Sequence, residues 1–410
     1  MRELPRAVSL SYHGLALATT SVKNRLIRPK SSVKKIVIVV GGGPAPGIPN
    51  AIRSIALEAI RNGIKVYQAQ EGINGLIDNN LFELTFDDVW NLKHSKRNPG
   101  KTSRQIPNTP DKIDKVKATL KRHGIDKIIT IGGDDTAYVA KLLSLEGYTV
   151  ASLTKTIDDD VLPYQYIDHT FGWDTAAEVI GNEINSLVHG AWALPTWFIV
   201  RSMGRASGSL ALEAARRGGA HICLIPEQFK NSQLTIKALQ DEAKRQMQAR
   251  VDLGFNYGVV VVSEGFEIPL AQEITKASET QIVHDNNGNI CQGQLFRQCH
   301  KLIYDGFPGG KLEGIKIELK EFGYEVRTEK PSNTDIRSTT MQGQAAVQLL
   351  LDGKESALIA VRDNKIVRVP YSTPGIFDPN TGKLIKREVD TNSLQYQAAK
   401  REIDTKFLRP

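Results

Sequence analysis

The feature that most constrains this chain is an apolar run that stops at glycines, used twice. Residues 34–40 are mostly β-branched and pass directly into Gly41-Gly42-Gly43-Pro44-Ala45-Pro46-Gly47, after which residues 50–60 follow a helical apolar spacing. Residues 127–131 do the same, ending in Gly132-Gly133-Asp134-Asp135 before a helix predicted over 137–145. Runs that are apolar at every position belong to strands covered on both faces, the buried parallel strands of α/β proteins. The turns that follow such strands lie at the carboxyl edge of the sheet, where ligands of open α/β sheets bind. Glycines there let backbone amides approach an anion, and a following helix N-terminus adds positive potential. The first turn is neither a dinucleotide fingerprint nor a Walker A, because Gly47 is followed by Ile48-Pro49 and not by Lys-Ser/Thr.

A third run, residues 148–153, ends in Thr154-Lys155-Thr156-Ile157-Asp158-Asp159-Asp160. Three successive carboxylates repel one another unless a cation is near. If the backbone is extended, side chains alternate, so Asp158 and Asp160 share one face and Asp159 takes the other. One carboxylate to take a proton, one for a metal and a lysine for an anion would serve phosphoryl transfer. A solvated acidic turn is the alternative that this stretch alone leaves open. The three strand–turn units together place Gly43, Asp134 and Asp158 on one edge of one sheet. The polar loop Asn98-Pro99-Gly100-Lys101-Thr102-Ser103-Arg104 adds two cations, either facing a ligand or simply on the surface.

The alternation continues. Residues 197–205 read as a strand ending in a cation, 207–217 as a small-residue helix, and 221–225 and 257–266 as strands, the second ending on Glu264. A second α/β domain is therefore expected. Residues 232–250 read as a charged helix with a solvated face, 316–327 as a strand leading to Tyr324 and Arg327, and 339–351 as a helix. A hairpin is expected at Asp363-Asn364, and a polar surface helix from Asn392.

The net charge of +8 suggests nucleic acid until it is located. Residues 1–35 hold eight cations (Arg2, Arg6, Lys23, Arg25, Arg28, Lys30, Lys34, Lys35) against the single Glu3, a surplus of seven. The remaining body is near neutral, without the basic face of a nucleic-acid binder. The basic, Ser/Thr-rich start has the composition of some transit peptides, but a disordered or surface-packed extension is the reading preferred. No apolar run approaches the roughly 18 residues that span a membrane. The three cysteines share no metal-ligand spacing, which fits a reducing, cytoplasmic setting.

Seven segments in order carry a family resemblance: Gly42–Gly47, Thr102–Arg104, Gly132–Asp135, Lys155–Asp158, Met203–Arg205, Glu264-Gly265 and Gly323–Arg327. Over roughly residues 33–360 the chain resembles the phosphofructokinases, and specifically their pyrophosphate-dependent branch. The resemblance implies two Rossmann-like three-layer α/β/α domains with the active site in the cleft between them. Residues 1–32 would be a basic extension, 33–170 the phosphoryl-donor domain with a return segment near 328–375, 171–327 the sugar-phosphate domain, and 376–410 a polar helical segment.

It further implies a phosphotransferase that phosphorylates fructose 6-phosphate reversibly with pyrophosphate, using Mg²⁺. Asp158 would be the general base, with Asp134 and Asp160 holding the metal. Arg104 would bridge the phosphoryl groups, and Gly43 would line the donor site. Thr156, Met203, Gly204, Arg205, Glu264, Tyr324 and Arg327 would meet the sugar phosphate. Asp135 and Lys155 stand where ATP-dependent members usually carry glycine. The carboxylate would repel a nucleotide's α-phosphate, and the ammonium would neutralise a leaving phosphate. Asp159 replaces the family's usual Asn, a charge expected to raise its neighbours' pKa values unless it is solvated or metal-bound. Thr196 and Glu318 stand where short bacterial members carry arginines that reach across a subunit boundary. A homo-oligomer (dimer or tetramer) is implied. The alternatives are an ATP-dependent phosphofructokinase and a non-catalytic sugar-phosphate-binding regulatory subunit.

Overall fold

The computed structural model describes residues 32–230, 234–279, 281–282, 292–307, 311–312 and 314–409. The basic extension lies outside them except for Ser32. Two sheets organise the chain. The first is built from β1 (Lys35–Val40), β2 (Lys65–Ala69), β3 (Leu81–Leu84), β4 (Lys127–Gly132), β5 (Thr149–Thr156) and the short β6 (Phe171–Gly172). The second contains β7 (Thr196–Ser202), β8 (Ile222–Leu224), β9 (Gly258–Ser263), β10 (Lys311–Leu312) and β11 (Ile315–Glu321). The chain then returns to the first sheet through β12 (Ala357–Arg362) and β13 (Lys365–Pro370), paired as the expected hairpin about Asp363 and Asn364.

The first sheet runs β13-β12-β5-β4-β1-β2-β3, with β6 on β5, and is parallel except at its two edge strands. The second runs β10-β11-β7-β9-β8 and is parallel except for β10. Central strands are buried on both faces, as their unbroken Val/Ile content requires: β1 from Ile36 to Val40, and β9 throughout. Register brings the turns level with one another. Val40 pairs with Ile131 and Gly132 with Thr154, so the glycine turn, the Gly-Gly-Asp-Asp turn and the lysine–aspartate stretch open side by side. In the second sheet Ser202 pairs with Ser263, so Met203 and Glu264 leave their strands together.

Helices α1 (Ile48–Arg61), α2 (Asp134–Leu145), α3 (Trp173–Ala193), α4 (Ser209–Gly218), α5 (Ile236–Asp252), α6 (Asn333–Leu351) and α7 (Leu394–Phe407) cover the sheets. The buried Asn50 side chain ties α1 to α6 by donating to Ile336 O (3.0 Å) and Thr339 Oγ1 (2.8 Å). None of the helices among the described residues is long and apolar enough to cross a membrane.

Several local expectations change, and the helix expected over 339–351 begins already at Asn333. β5 runs three residues beyond 153, so Lys155 and Thr156 are strand residues with parallel neighbours, Lys155 against Phe171 and Thr156 against Gly172. α2 begins at Asp134, not at 137, which puts Asp134 and Asp135 in the first turn, where carboxylates favour the helix dipole. α5 is not merely a solvated face: Ile236, Leu239, Ala243 and Met247 pack into the second sheet's core. The segment after β13 is not all helical. Before α7, residues 376–387 form a strap held by isolated bridges, Phe377 with Leu384 and Lys386 with Val161.

Candidate active site

The glycine turn is shaped by what lies beneath it. Gly41 N donates to Ile131 O (2.9 Å), and Gly42 N donates to Ser103 O (2.8 Å), which fastens the 98–104 loop to the turn. Thr102 Oγ1 donates to Gly42 O (2.7 Å). Gly42 has φ +81°, and a Cβ there would lie 3.0 Å from Lys155 Nζ, so only glycine lets the backbone pass the ammonium this closely. Lys155 Nζ donates to Gly43 O (2.7 Å). A Cβ on Gly43 would lie 3.5 Å from a guanidinium nitrogen of both Arg104 and Arg327. Three cations therefore converge on one turn. Burial, then Arg327 and Arg104, pull the Lys155 ammonium down to about 7, against the opposing pull of Asp158 and Asp134. A lysine held this way has much to gain from an anionic ligand.

Opposite the cations lie the carboxylates. Asp158 is 4% exposed; its amide donates to Thr156 Oγ1 (3.0 Å) and its Oδ1 lies 3.9 Å from Arg327 NH2 without a hydrogen-bond partner. Burial, then Asp158 and Asp134, push the Asp160 carboxyl up to about 7. Asp134 goes the other way: burial opposes its charge, but Lys386 and Arg205 outweigh this and hold it below the usual range. Burial lowers the Arg205 guanidinium, yet Asp158, Asp134, Asp160 and Asp135 raise it above its ordinary value. Lys386 Nζ sits 3.8 Å from both Asp134 Oδ2 and Asp160 Oδ2, and Lys383 Nζ lies 2.8 Å from Asp135 Oδ1.

Among the described residues no three His, Cys, Asp or Glu side chains form a metal cage. The buried Asp160 Oδ2, without a hydrogen-bond partner, and the hard carboxylate oxygens of Asp134 suit a different case. That case is a Mg²⁺ held by one or two carboxylates together with phosphate oxygens.

Asp159 behaves unlike its neighbours. The stretch is not extended there: Asp159 has φ +55°, and this left-handed turn, not strand alternation, points it away from Asp158 and Asp160. Its carboxylate pairs with Arg387 and accepts from Thr170 N (2.9 Å) and Ser209 Oγ (3.2 Å), with His169 Nδ1 at 2.9 Å. Arg387 also donates from Nε to Asp159 O (3.0 Å) and lies over the Tyr164 ring. Burial opposes the charge, but Arg387 and His169 hold the carboxyl below its usual value. The expected effect on its neighbours is therefore corrected: Asp159 is buried with its charge matched by Arg387 and His169, and burial, Asp158 and Asp134 raise Asp160.

The second sheet supplies the other wall. Glu264 accepts from Gly204 N (2.8 Å) and Arg205 N (2.5 Å) through Oε1, and from Arg201 (2.8 Å) through Oε2. It thereby braces the turn that carries Met203, Gly204 and Arg205, in which Arg205 itself has φ +51°. Tyr324 and Arg327 lie on a short 3₁₀ turn after β11; Tyr324 is 64% exposed, whereas Arg327 faces the glycine turn.

The phosphofructokinase family model matches residues 35–350. The chain belongs to the phosphofructokinase family. It is 35% identical over 404 residues to a pyrophosphate–fructose 6-phosphate 1-phosphotransferase of Naegleria fowleri, covering 94% of this chain and 91% of that protein. It is 29% identical over 335 residues to ATP-dependent 6-phosphofructokinase 1 of Clostridium perfringens, covering 82% and 91%. The crystal structure of a pyrophosphate-dependent phosphofructokinase from Marinobacter aquaeolei matches with a TM-score of 0.65 at 19% identity over 92% of each chain, a likeness of fold.

Against this phosphofructokinase frame, the structure gathers Gly43, Arg104, Lys155, Asp158 and Arg327 at one turn and Asp134, Asp160 and Arg205 beside it. Tyr324 stays outside this gathering, and Thr156 is occupied in holding the Asp158 amide. Lys383, Lys386 and Arg387 were not singled out from the sequence. A charge count could have found them, because the carboxylates ending β4 and β5 outnumber the cations nearby in sequence.

Two outcomes follow. Arg387→Ala leaves Asp159 buried without its guanidinium partner, with only His169, Thr170 and Ser209 facing it, and should cost about 3–5 kcal/mol by denaturant unfolding, while Asp159→Asn/Arg387→Met recovers much of it. A loss below about 1 kcal/mol would show that the pair is not what holds the strap. Because the Asp160 carboxyl is raised, its ionisation opposes folding progressively as pH rises through about 4–7. Asp160→Asn should therefore raise the Tm of the metal- and phosphate-free protein, with an increment that grows from about pH 5 to about pH 8. A shrinking increment would contradict the sign.

Proposed function

We propose that this phosphofructokinase transfers a phosphoryl group from pyrophosphate to the 1-hydroxyl of fructose 6-phosphate, reversibly. The observation that carries the reading is the donor-side pair of charges: buried Lys155 on the glycine turn and Asp135 at the mouth, paired with Lys383. An ammonium at the turn neutralises a leaving inorganic phosphate, and a carboxylate beside it repels the α-phosphate of a nucleotide. The Naegleria fowleri relative's name supports the same donor. The first sheet, residues 33–170 with 328–375, is read as the donor domain, and 171–327 as the sugar-phosphate domain.

Phosphoryl transfer asks the protein mainly for positioning and charge neutralisation. Asp158 is the general base: its Oδ1 is buried and without a hydrogen-bond partner, so it is available to the attacking hydroxyl. Lys155 and Arg104 take up charge that develops on the bridging and departing oxygens. Asp134 and Asp160 would hold Mg²⁺, which when bound neutralises donor phosphate oxygens. Arg205 and Arg327 bind the sugar phosphate, and Glu264 keeps the Met203–Arg205 turn in shape.

Asp158→Ala should lower kcat by about 10²–10⁴ while fructose 6-phosphate binding, measured by calorimetry, stays within a few-fold. Near-normal kcat would remove Asp158 from the role of base. Asp135→Gly/Lys155→Gly should lower kcat/KM for pyrophosphate by at least about tenfold and admit ATP. If instead the unsubstituted protein turns over ATP with pyrophosphate inert, the donor assignment fails.

A further inference from the structure

The C-terminal strap is bound at both ends. Ile376 and Leu384 are buried with Ala137, Val161 and Leu162. Gly382 N donates to Asp378 O (2.8 Å), and Ile385 N donates to Ile376 O (2.9 Å). Arg387 N donates to Asp160 O (2.8 Å), and the Arg387 side chain is locked on Asp159.

So held, the strap lies along one stripe of α2. Asp134, Tyr138 and Lys141 follow one another at i, i+4 and i+7. Lys386 meets Asp134, Gly382 lies on the Tyr138 ring, and Phe377 stacks under the Lys141 ammonium at 4.1 Å. Gly382 has φ +69°, and a Cβ there would stand 2.9 Å from the Tyr138 ring, so the approach depends on glycine. One step off the stripe, Lys383 pairs with Asp135.

We propose that residues 376–387 determine donor specificity: Lys383 and Lys386 complete the donor site, and the strap fills the path a nucleoside would need. The proposal deepens the pyrophosphate reading and rests on it. A nucleotide with its terminal phosphates at the glycine turn must run its third phosphate and nucleoside past Asp135 and along α2. Gly382 against Tyr138, Lys383 on Asp135 and Phe377 under Lys141 would stand across that course. Inward, the cavity lined by Gly41, Gly42, Arg104, Asp135 and Thr136 holds only about 30 Å³, room for roughly one water. A diphosphate would end before the strap, whose Lys383 and Lys386 ammonium groups sit beside Asp135 and Asp134. Lys383 acts partly through Asp135, so it is a positioning residue whose effect should fall on the donor alone.

The test uses the full-length protein and its Lys383→Ala, Lys383→Arg and Gly382→Val variants. The readouts are steady-state kinetics with pyrophosphate, and calorimetric binding of imidodiphosphate and of β,γ-imido-ATP without fructose 6-phosphate. Lys383→Ala should raise KM for pyrophosphate about tenfold, leave KM for fructose 6-phosphate within about twofold, and be largely rescued by Lys383→Arg. Gly382→Val, which removes no charge, should tighten β,γ-imido-ATP binding at least about fivefold by lifting the strap from Tyr138. Unsubstituted protein that prefers imidodiphosphate, with variants showing unchanged donor constants and nucleotide binding, would overturn the strap's role alone. Unsubstituted protein that binds β,γ-imido-ATP as tightly as imidodiphosphate would overturn the donor reading beneath it.

Discussion

Mutual repulsion among five carboxylates governs this structure. Asp134, Asp135, Asp158, Asp159 and Asp160 follow two neighbouring strands, and four of the five are buried. Unpaired charges in such a place are not tolerated, so each is matched or its ionisation is suppressed. Arg387 and His169 take Asp159, Lys383 takes Asp135, and Lys386 and Arg205 favour the charge on Asp134. Asp160 goes largely unmatched and shifts towards neutrality. Lys155, Arg104 and Arg327 form a separate group on the glycine turn, across from Asp158. The result is a cationic side and an anionic side at adjoining strand ends, an arrangement that would suit in-line phosphoryl transfer.

The strands and their turns were legible in the sequence because their determinants are local. An all-apolar run stopping at Gly41 or Gly132 reads as a buried parallel strand, and the sheet places both runs as expected. The end of β5 was less legible. Lys155 and Thr156 look like loop residues, but pairing with Phe171 and Gly172 keeps them in the strand, and no local pattern encodes that. Asp159 shows the same limit more sharply. Its partners Thr170, Ser209 and Arg387 lie 11, 50 and 228 residues away, so a residue that looks like surplus charge is the anchor of the C-terminal strap.

The strap also changes what the end of the chain is for. Read from composition, the region after β13 is polar and surface-bound, and α7 largely fits that description. Residues 376–387, further upstream, bring Lys383 and Lys386 to Asp135 and Asp134 and lie across α2. On the proposed reading donor choice would be distributed, with a lysine and an aspartate at strand ends setting the charge and a distant segment setting the space.

The central claim, that inorganic pyrophosphate is the donor, is tested most directly by competition. Full-length protein would be given Mg²⁺, fructose 6-phosphate and equimolar pyrophosphate and ATP, and followed by ³¹P NMR. The account predicts that the pyrophosphate resonance decays as orthophosphate and fructose 1,6-bisphosphate grow in equal amounts, with the three ATP resonances unchanged. Loss of the ATP γ-phosphate into the bisphosphate while pyrophosphate persists would contradict it.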